Sequence, residues 1–214
     1  MTPRTVLIST SNPGKLGDFA GAAAGHNITI AAIPGFASLP AVIEDGATFE
    51  ENARKKAEQY SLAVPGELVL ADDSGLEVDA LGGAPGVRSA RYAANDPGTV
   101  QTPSTDEANN NRLLRELIHI SPDKRTGRFV CVLAAARDGR TRATFRGAAE
   151  GTILDAPRGH HGFGYDPLFY FPQVGKTFAE LSAAEKALYS HRGIAFRRFL
   201  EWYDRVPHPP GAFT

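Results

Sequence analysis

Two adjacent carboxylates, Asp72 and Asp73, follow directly on an apolar run. Leu68-Val69-Leu70-Ala71 leads into them, and Ser74-Gly75 comes next. A short run of β-formers bounded by turn residues reads as a buried strand. The acids are therefore expected where that strand ends. Successive strand side chains point to opposite faces, so Asp72 and Asp73 should diverge. Two acids at the mouth of an apolar strand cost solvation unless a positive charge is near. Mg2+ is the candidate, because it takes a few carboxylates together with substrate phosphates. Taken alone, the stretch also fits a solvated Asp-Asp-Ser-Gly turn.

A second chemical stretch lies near the start of the chain. Thr5 to Thr10 alternates and is β-branched, so it reads as a strand. It runs into Ser11-Asn12-Pro13-Gly14-Lys15, with a helix starting near Pro13 or Gly14. Strand, small polar loop and helix with a lysine in its first turn form a phosphate cradle: backbone N–H groups and the lysine share the negative charge. It is not a Walker A loop, since the first glycine is missing and Leu16 stands where its Ser or Thr would be. A plain strand-to-helix turn fits equally well. Further along, Thr48-Phe49-Glu50-Glu51 matches a capping box and predicts a helix from about Phe49 to Leu62. Glu44 lies just before that cap, free to reach elsewhere. Lys56 sits two turns in and is either a phosphate contact or a solvated lysine.

His160-His161-Gly162-Phe163-Gly164-Tyr165-Asp166-Pro167 is a glycine-rich loop with aromatics. Phe163 and Tyr165 are core aromatics beside a turn or ligand contacts, and the flanking glycines with Asp166 favour the second. The histidine pair has no second His or Cys pair to complete a zinc site and reads as loop. Arg91 is read as positioning the Gly82–Gly86 loop.

The elements that must position these residues follow from patterning. After the first helix, which ends by Gly25, Asn27 to Ile33 reads as a strand. Leu76 to Asp79 alternates. Asn95 to Pro103 reads as a mobile surface loop. Ser104 or Thr105 caps a helix to about Ile120, with Leu113, Leu114, Leu117 and Ile118 on its buried face. Arg128 to Ala136 and Thr141 to Ala148 form a hairpin through Asp138-Gly139. Ile153-Leu154 and Leu168 to Phe171 are short strands. Thr177 to Glu180 and Ser182 to Glu185 match capping boxes. The last helical stretch runs to about Asp204 with a break near Ser190, and the tail, 205–214, frays. Strands and helices alternate early and a hairpin comes late, so the fold class is mixed α/β or α+β.

Composition bounds the partners. At 214 residues the chain makes one domain, 1–214, or two small lobes. The net charge of -1 argues against a nucleic-acid or membrane surface, while a phosphorylated small molecule needs only local cations. The single cysteine, Cys131, lies in an apolar run and reads as a buried thiol. With no internal disulfide available, a reducing compartment is expected. The apolar stretch Val6 to Ile8 is too short for a signal peptide or a span, so the cytoplasm is the expected location.

The motifs add up in order. Thr10 to Lys15, Thr48 to Ala53, Ala71 to Val78, Gly82 to Val87, Ser89 to Tyr92, Gly162 to Pro167 and Ser190-His191-Arg192-Gly193 are each weak alone. As an ordered set spanning about Val6 to Leu200, the chain resembles the inosine/xanthosine triphosphate pyrophosphatase family. The resemblance implies a dimeric, Mg2+-dependent hydrolase that converts ITP, dITP and XTP to the monophosphate and pyrophosphate. It implies a long central mixed β-sheet flanked by helices, two lobes, and an active-site cleft between them. Carried onto this sequence, the substrate contacts are Thr10, Ser11, Asn12, Pro13, Gly14, Lys15, Ser74, Phe163, Gly164, Tyr165, Asp166, Lys186, His191 and Arg192. Glu44 and Asp73 are the implied metal carboxylates, and Asp73 is also the implied proton acceptor. Lys56 joins Lys15 and Lys186 as a candidate phosphate cation. The division of base and metal work between Asp72 and Asp73 stays open. So do two alternatives: a non-catalytic nucleotide-binding module, which has little use for three acids beside phosphates, and an enzyme acting on modified pyrimidine triphosphates.

Overall fold

The structure, a computed structural model, describes residues 4–95 and 104–206. The loop expected over residues 95–103 lies outside those residues beyond Asn95, as does the tail from residue 207. The described elements are β1 (Arg4–Ile8), α1 (Pro13–Ala23), β2 (Ile28–Ala32), α2 (Phe49–Ser61), β3 (Val69–Val78), α3 (Asp106–Glu116), β4 (Thr126–Arg137), β5 (Arg140–Ile153), β6 (Phe169–Phe171), β7 (Lys176–Thr177), α4 (Ala183–Tyr189) and α5 (His191–Tyr203). The strands form a seven-stranded mixed sheet in the order β2-β1-β3-β4-β5-β6-β7. β1 pairs parallel with β2 and β3, whereas β6 pairs antiparallel with β5 and β7. The chain divides into two compact units. The first holds residues 1–73, 131–147 and 187–214; the second holds 74–130 and 148–186. β3 passes from the first to the second between Asp73 and Ser74.

In the first unit both faces of the sheet are covered, which explains why β1 is apolar at consecutive positions. Val6 and Ile8 pack with Phe19 of α1 and with Phe196 and Phe199 of α5. Leu7 points the other way, to Ile33, Tyr60 of α2 and Val69. The helices start where local chemistry predicts. The Asn12 side chain accepts from the Lys15 N–H at 3.1 Å, with Pro13 at the first helical position. Thr48 and Glu51 form a complete capping box ahead of α2. Ser190 ends the α4 segment and caps α5, its hydroxyl accepting from the Gly193 N–H at 3.1 Å. The turn between β4 and β5 is Asp138-Gly139, with φ of 52° and 73°. Positive φ at both positions is the twist a two-residue hairpin demands.

The second unit has an aromatic core. Phe129 lies 4.7 Å from Phe169 and 5.5 Å from Phe178 between ring centroids. Ile153 pairs with Phe169 across the antiparallel β5–β6 step, so Ile153 closes a long strand rather than starting a new one. Thr177 and Glu180 do form a capping box, but it caps a three-residue turn of tight helix, Phe178–Glu180.

One expectation is corrected. β3 does not end before the acids. It runs from Val69 to Val78, so Asp72 and Asp73 lie inside a strand. Two features let the strand continue. The Ser89 hydroxyl accepts the Leu76 N–H at 2.9 Å. Gly75 lies so close to that segment that an added Cβ would sit 2.6 Å from the Gly86 carbonyl oxygen. What reads as a turn is a strand whose polar positions have partners.

Gly147 on β5 meets the start of α5 in the same way. A Cβ there would lie 2.1 Å from the His191 carbonyl oxygen and 2.6 Å from the Ala195 nitrogen, both backbone atoms. Gly147→Ala is expected to lower unfolding stability by about 1–3 kcal/mol. Urea denaturation checks this, and a midpoint equal to wild type would show that α5 is free to move away.

Candidate active site

Strand parity decides which helix layer each acid meets. Leu68 and Leu70 pack in the α1/α5 layer, and Asp72 shares their parity. Val69 packs in the α2 layer, and Asp73 shares its parity. The ion pairs follow this division. Asp72 accepts from Lys15 Nζ of α1 at 2.9 Å and has Arg192 Nε of α5 at 3.8 Å. Asp73 Oδ1 lies 2.9 Å from Lys56 Nζ of α2. The same ammonium lies 2.9 Å from Glu44 Oε2. Three helices thus each deliver one cation to a cluster of three acids.

Asp72 and Asp73 are both buried, yet their acidities are driven apart. Burial opposes ionisation of Asp72, but Lys15, Arg192 and Lys56 hold its carboxyl well below the usual carboxylate range. Asp73 is pushed up to about 6, by burial first, against the pull of Lys56, with the neighbouring Glu44 adding to the rise. Glu44 moves the other way. Burial resists, but Lys56 and a hydrogen bond shared with Asp73 keep it ionised. Lys56 stays charged because Asp73, Asp72 and Glu44 together outweigh its burial. Glu44 remains 37 % exposed and so opens the cluster to solvent.

Asn52 belongs to this cluster and was not singled out from sequence. Its Nδ2 donates to Asp73 Oδ2 at 3.2 Å, and its Oδ1 accepts the Gly46 N–H at 2.8 Å. It thereby ties the turn after Glu44 to the carboxylate. The available signal was spacing: Asn52 precedes Lys56 by four residues, hence on the same helix face.

The Thr10–Lys15 loop also lies in the first unit. Thr10 Oγ1 accepts the Asn12 N–H at 3.1 Å. Ser11, Asn12 and Pro13 are exposed, while Gly14 and Lys15 are half-buried. A helix start leaves its first N–H groups without intrahelical partners, so Gly14 presents a donor at the tip that Lys15 flanks. His191 and Arg192 are buried at the start of α5, and Arg192 also pairs with Asp18 at 3.3 Å.

The other expected contacts lie in the second unit. Asp166 Oδ2 accepts from the Phe163 N–H at 3.0 Å and from Lys186 Nζ at 2.7 Å. Lys186 Nζ lies 5.3 Å from the Phe163 ring centroid. Gly162 takes φ +80°, and an added Cβ would lie 2.0 Å from Asp166 Oδ2. Tyr165 is buried and its hydroxyl donates to the Ser89 carbonyl at 2.8 Å, so its polar end works inside the unit. Gly164 lies between Phe163 and Tyr165, and Ser74 is half-buried on β3. Among the described residues no three His, Cys, Asp or Glu side chains form a metal cage.

The donor set nevertheless fits Mg2+, which needs only one or two carboxylates besides substrate oxygens and water. Glu44 and Asp73 share a hydrogen bond, and the neighbouring Glu44 carboxyl adds to the rise that burial gives Asp73. A site that raises one carboxylate against its neighbour is a site that gains from a divalent ion.

Residues 6–202 match the family model described as the Ham1 family. The chain is 51% identical over 197 residues to a "dITP/XTP pyrophosphatase" of Acidobacterium capsulatum, covering 92% of this chain and 96% of that one. It is 48% identical over 205 residues to a Thermus thermophilus protein of the same name, covering 95% and 94%. Among solved structures, a HAM1 protein from Coxiella burnetii matches with a TM-score of 0.80 at 35% identity, covering 95% of this chain and 100% of that one. The Staphylococcus aureus Ham1 protein matches with a TM-score of 0.77 at 39% identity, covering 94% and 98%.

The opposed acids give stability a definite pH dependence. Asp73 binds its proton more tightly folded than unfolded, so its contribution is full below about pH 4 and is lost as pH rises through about 6. Asp72 has the opposite sign: its contribution is present above about pH 4 and is lost below it. With EDTA present, the melting temperature is expected to fall between pH 4.5 and 7. Asp73→Asn should flatten that slope. A slope unchanged in the variant would assign it to other groups.

Proposed function

The chain belongs to the Ham1 family, and on that premise we propose that it hydrolyses ITP, dITP and XTP at the α-phosphorus, releasing the nucleoside monophosphate and pyrophosphate, with Mg2+ held by Glu44 and Asp73. Membership makes it a nucleoside triphosphate pyrophosphatase acting on deaminated purine nucleotides. The bond cleaved, the metal and the residue roles are the finer reading. The observation that carries it is the Glu44–Lys56–Asp73 contact, one residue along the strand from the Asp72 that tethers Lys15.

Cleavage at the α-phosphorus needs an in-line water, charge withdrawal from the phosphate oxygens and cations on the departing pyrophosphate. Mg2+, when bound, supplies that withdrawal and makes a coordinated water more acidic. The chain's own groups do the rest. Lys15 and the Gly14 N–H at the helix start bind phosphate oxygens. Lys56 keeps one N–H available beyond its two carboxylates and reaches a further phosphate oxygen. Asp73 orients the water and takes its proton, and because a metal-bound water is more acidic an ordinary carboxylate is basic enough for that step. Asp72 takes no proton; it holds Lys15 and Arg192 in place.

Base choice rests on the 6-oxo acceptor and N1–H donor that hypoxanthine and xanthine share and adenine lacks. Phe163 supplies a ring face for stacking. His191, Arg192 and loop N–H groups are the donors to O6, with Asp166 or a loop carbonyl accepting from N1–H. Adenine would leave buried groups unpaired at about 1–3 kcal/mol each, enough for discrimination by several tenfold steps. The reading includes homodimeric assembly and action in the cytoplasm. Among the described residues no helix is long and apolar enough to cross a membrane.

The decisive assay follows pyrophosphate and orthophosphate separately from ITP, XTP, dITP, GTP and ATP, with and without Mg2+. Pyrophosphate from the first three only, and only with metal, is expected. Orthophosphate in its place would move attack to the γ-phosphorus. Asp73→Asn should lower kcat by about 10²–10⁴-fold with the melting temperature at neutral pH held or raised; near-normal kcat would remove Asp73 from the chemistry. Lys15→Ala should raise KM for the triphosphate by roughly ten- to a hundredfold. Asp72 keeps Arg192 in that variant, so the chain should still fold. An unchanged KM and kcat would refute the cradle.

A further inference from the structure

The Phe163–Asp166 loop is held from outside by α3. Asp106 Oδ2 accepts the Gly164 N–H at 2.6 Å, and Asn110 Nδ2 donates to the Gly164 carbonyl at 3.0 Å. The two side chains are four residues apart, so they stand on one helix face and grip both polar groups of one residue. Gly164 takes φ +63°, a conformation few other residues adopt. It sits directly after Phe163, the side chain that stacks on the base in the base-recognition reading.

The remaining contacts show how little freedom this leaves. Asp166 holds the Phe163 N–H, and the Tyr165 hydroxyl is spent on Ser89. Asp106, Asn110, Phe163 and Gly164 line one cavity of about 420 Å³, with Leu114 of α3 and His161 on its walls. The cavity is therefore built by the helix face and the loop together. α3 is itself anchored beside the clamp: Asn109 Oδ1 accepts the Ala93 N–H at 2.8 Å. A clamp on a fixed helix transmits position rather than merely following the loop.

We propose that Asp106 and Asn110 are positioning residues for base recognition, fixing the Gly164 backbone so that Phe163 and its neighbouring peptide groups meet the purine in one register. This rests on the reading that the Phe163 loop receives the base. The clamp contacts the Gly164 backbone and not Lys186 or the Thr10–Lys15 loop, so its loss should act chiefly on the base end of the substrate.

The test compares wild type with Asn110→Ala, Asp106→Ala and Asp106→Asn, the last keeping an acceptor for the Gly164 N–H. Hydrogen exchange over residues 160–168 reads the clamp itself. Steady-state kinetics on ITP and ATP, and competitive inhibition by inorganic tripolyphosphate, read its use. In the two alanine variants exchange should quicken, KM for ITP should rise roughly three- to tenfold and the ITP-to-ATP preference should shrink. The tripolyphosphate inhibition constant should stay put, and Asp106→Asn should restore most of the ITP value. Quickened exchange with wild-type KM and preference would overturn the proposal. A parallel loss of tripolyphosphate binding would also overturn it, since it would mark general destabilisation. Equal turnover of ITP and ATP by the wild-type chain would instead overturn the base-recognition reading, and this proposal with it.

Discussion

Two buried aspartates stand side by side on an interior strand, and the first unit is arranged around keeping them there. A buried carboxylate is tolerable only with a partner. Strand geometry sends Asp72 and Asp73 into different helix layers, so one partner cannot serve both. The α1/α5 layer answers Asp72 with Lys15 and Arg192. The α2 layer answers Asp73 with Lys56, and then divides that single charge with Glu44. The imbalance has chemical content. Asp72, beside two cations, stays a fixed counter-ion; Asp73, desolvated by burial and sharing its cation with Glu44, has its pKa pushed up to about 6. Pairs of titratable groups whose surroundings push them apart mark an acid–base division of labour. Here the opposed shifts arise in two neighbouring residues of the same type.

The same constraint accounts for the helix starts. Lys15 lies in the first turn of α1 and Arg192 in the first turn of α5, each behind a side-chain cap that fixes where the helix begins. A shift of one residue in either cap would turn its cation by about 100° away from Asp72. The caps at Asn12 and Ser190 therefore set electrostatics as well as helix boundaries. Lys56 lies deeper in α2, and its register is set by the Thr48–Glu51 box two turns earlier.

Those caps were legible in sequence because they are local. Thr48 to Glu51, the Asp138-Gly139 turn and the break at Ser190 each depend on a few consecutive residues with defined conformational preferences. The divergence of Asp72 and Asp73 was legible for the same reason, since period-two alternation needs no tertiary information. The run of β3 through the acids was not. Its polar stretch survives only because Lys15, Lys56 and Ser89, all remote in sequence, meet it. Locally Asp-Asp-Ser-Gly carries turn chemistry. Asn52 escaped notice for a related reason: an asparagine inside a helix reads as an exposed polar residue until the turn at Gly46 and the Asp73 carboxylate are seen to close on it. Tyr165 shows the same limit. Its place in a glycine-rich motif is local, but that its hydroxyl donates to the Ser89 carbonyl inside the unit is a long-range pairing that the motif does not carry.

The choice of lysine at position 56 follows from the bridge it makes. An ammonium is a compact charge with three donors pointing apart. Two of them meet Glu44 and Asp73, at 2.9 Å each. A guanidinium is planar, and its donors favour side-by-side engagement of a single carboxylate. Arginine here would grip one acid and leave the other unbalanced, or would fill the space between them with its wider head. Lysine bridges the two carboxylates with one compact charge, which a planar guanidinium could not do without favouring one of them.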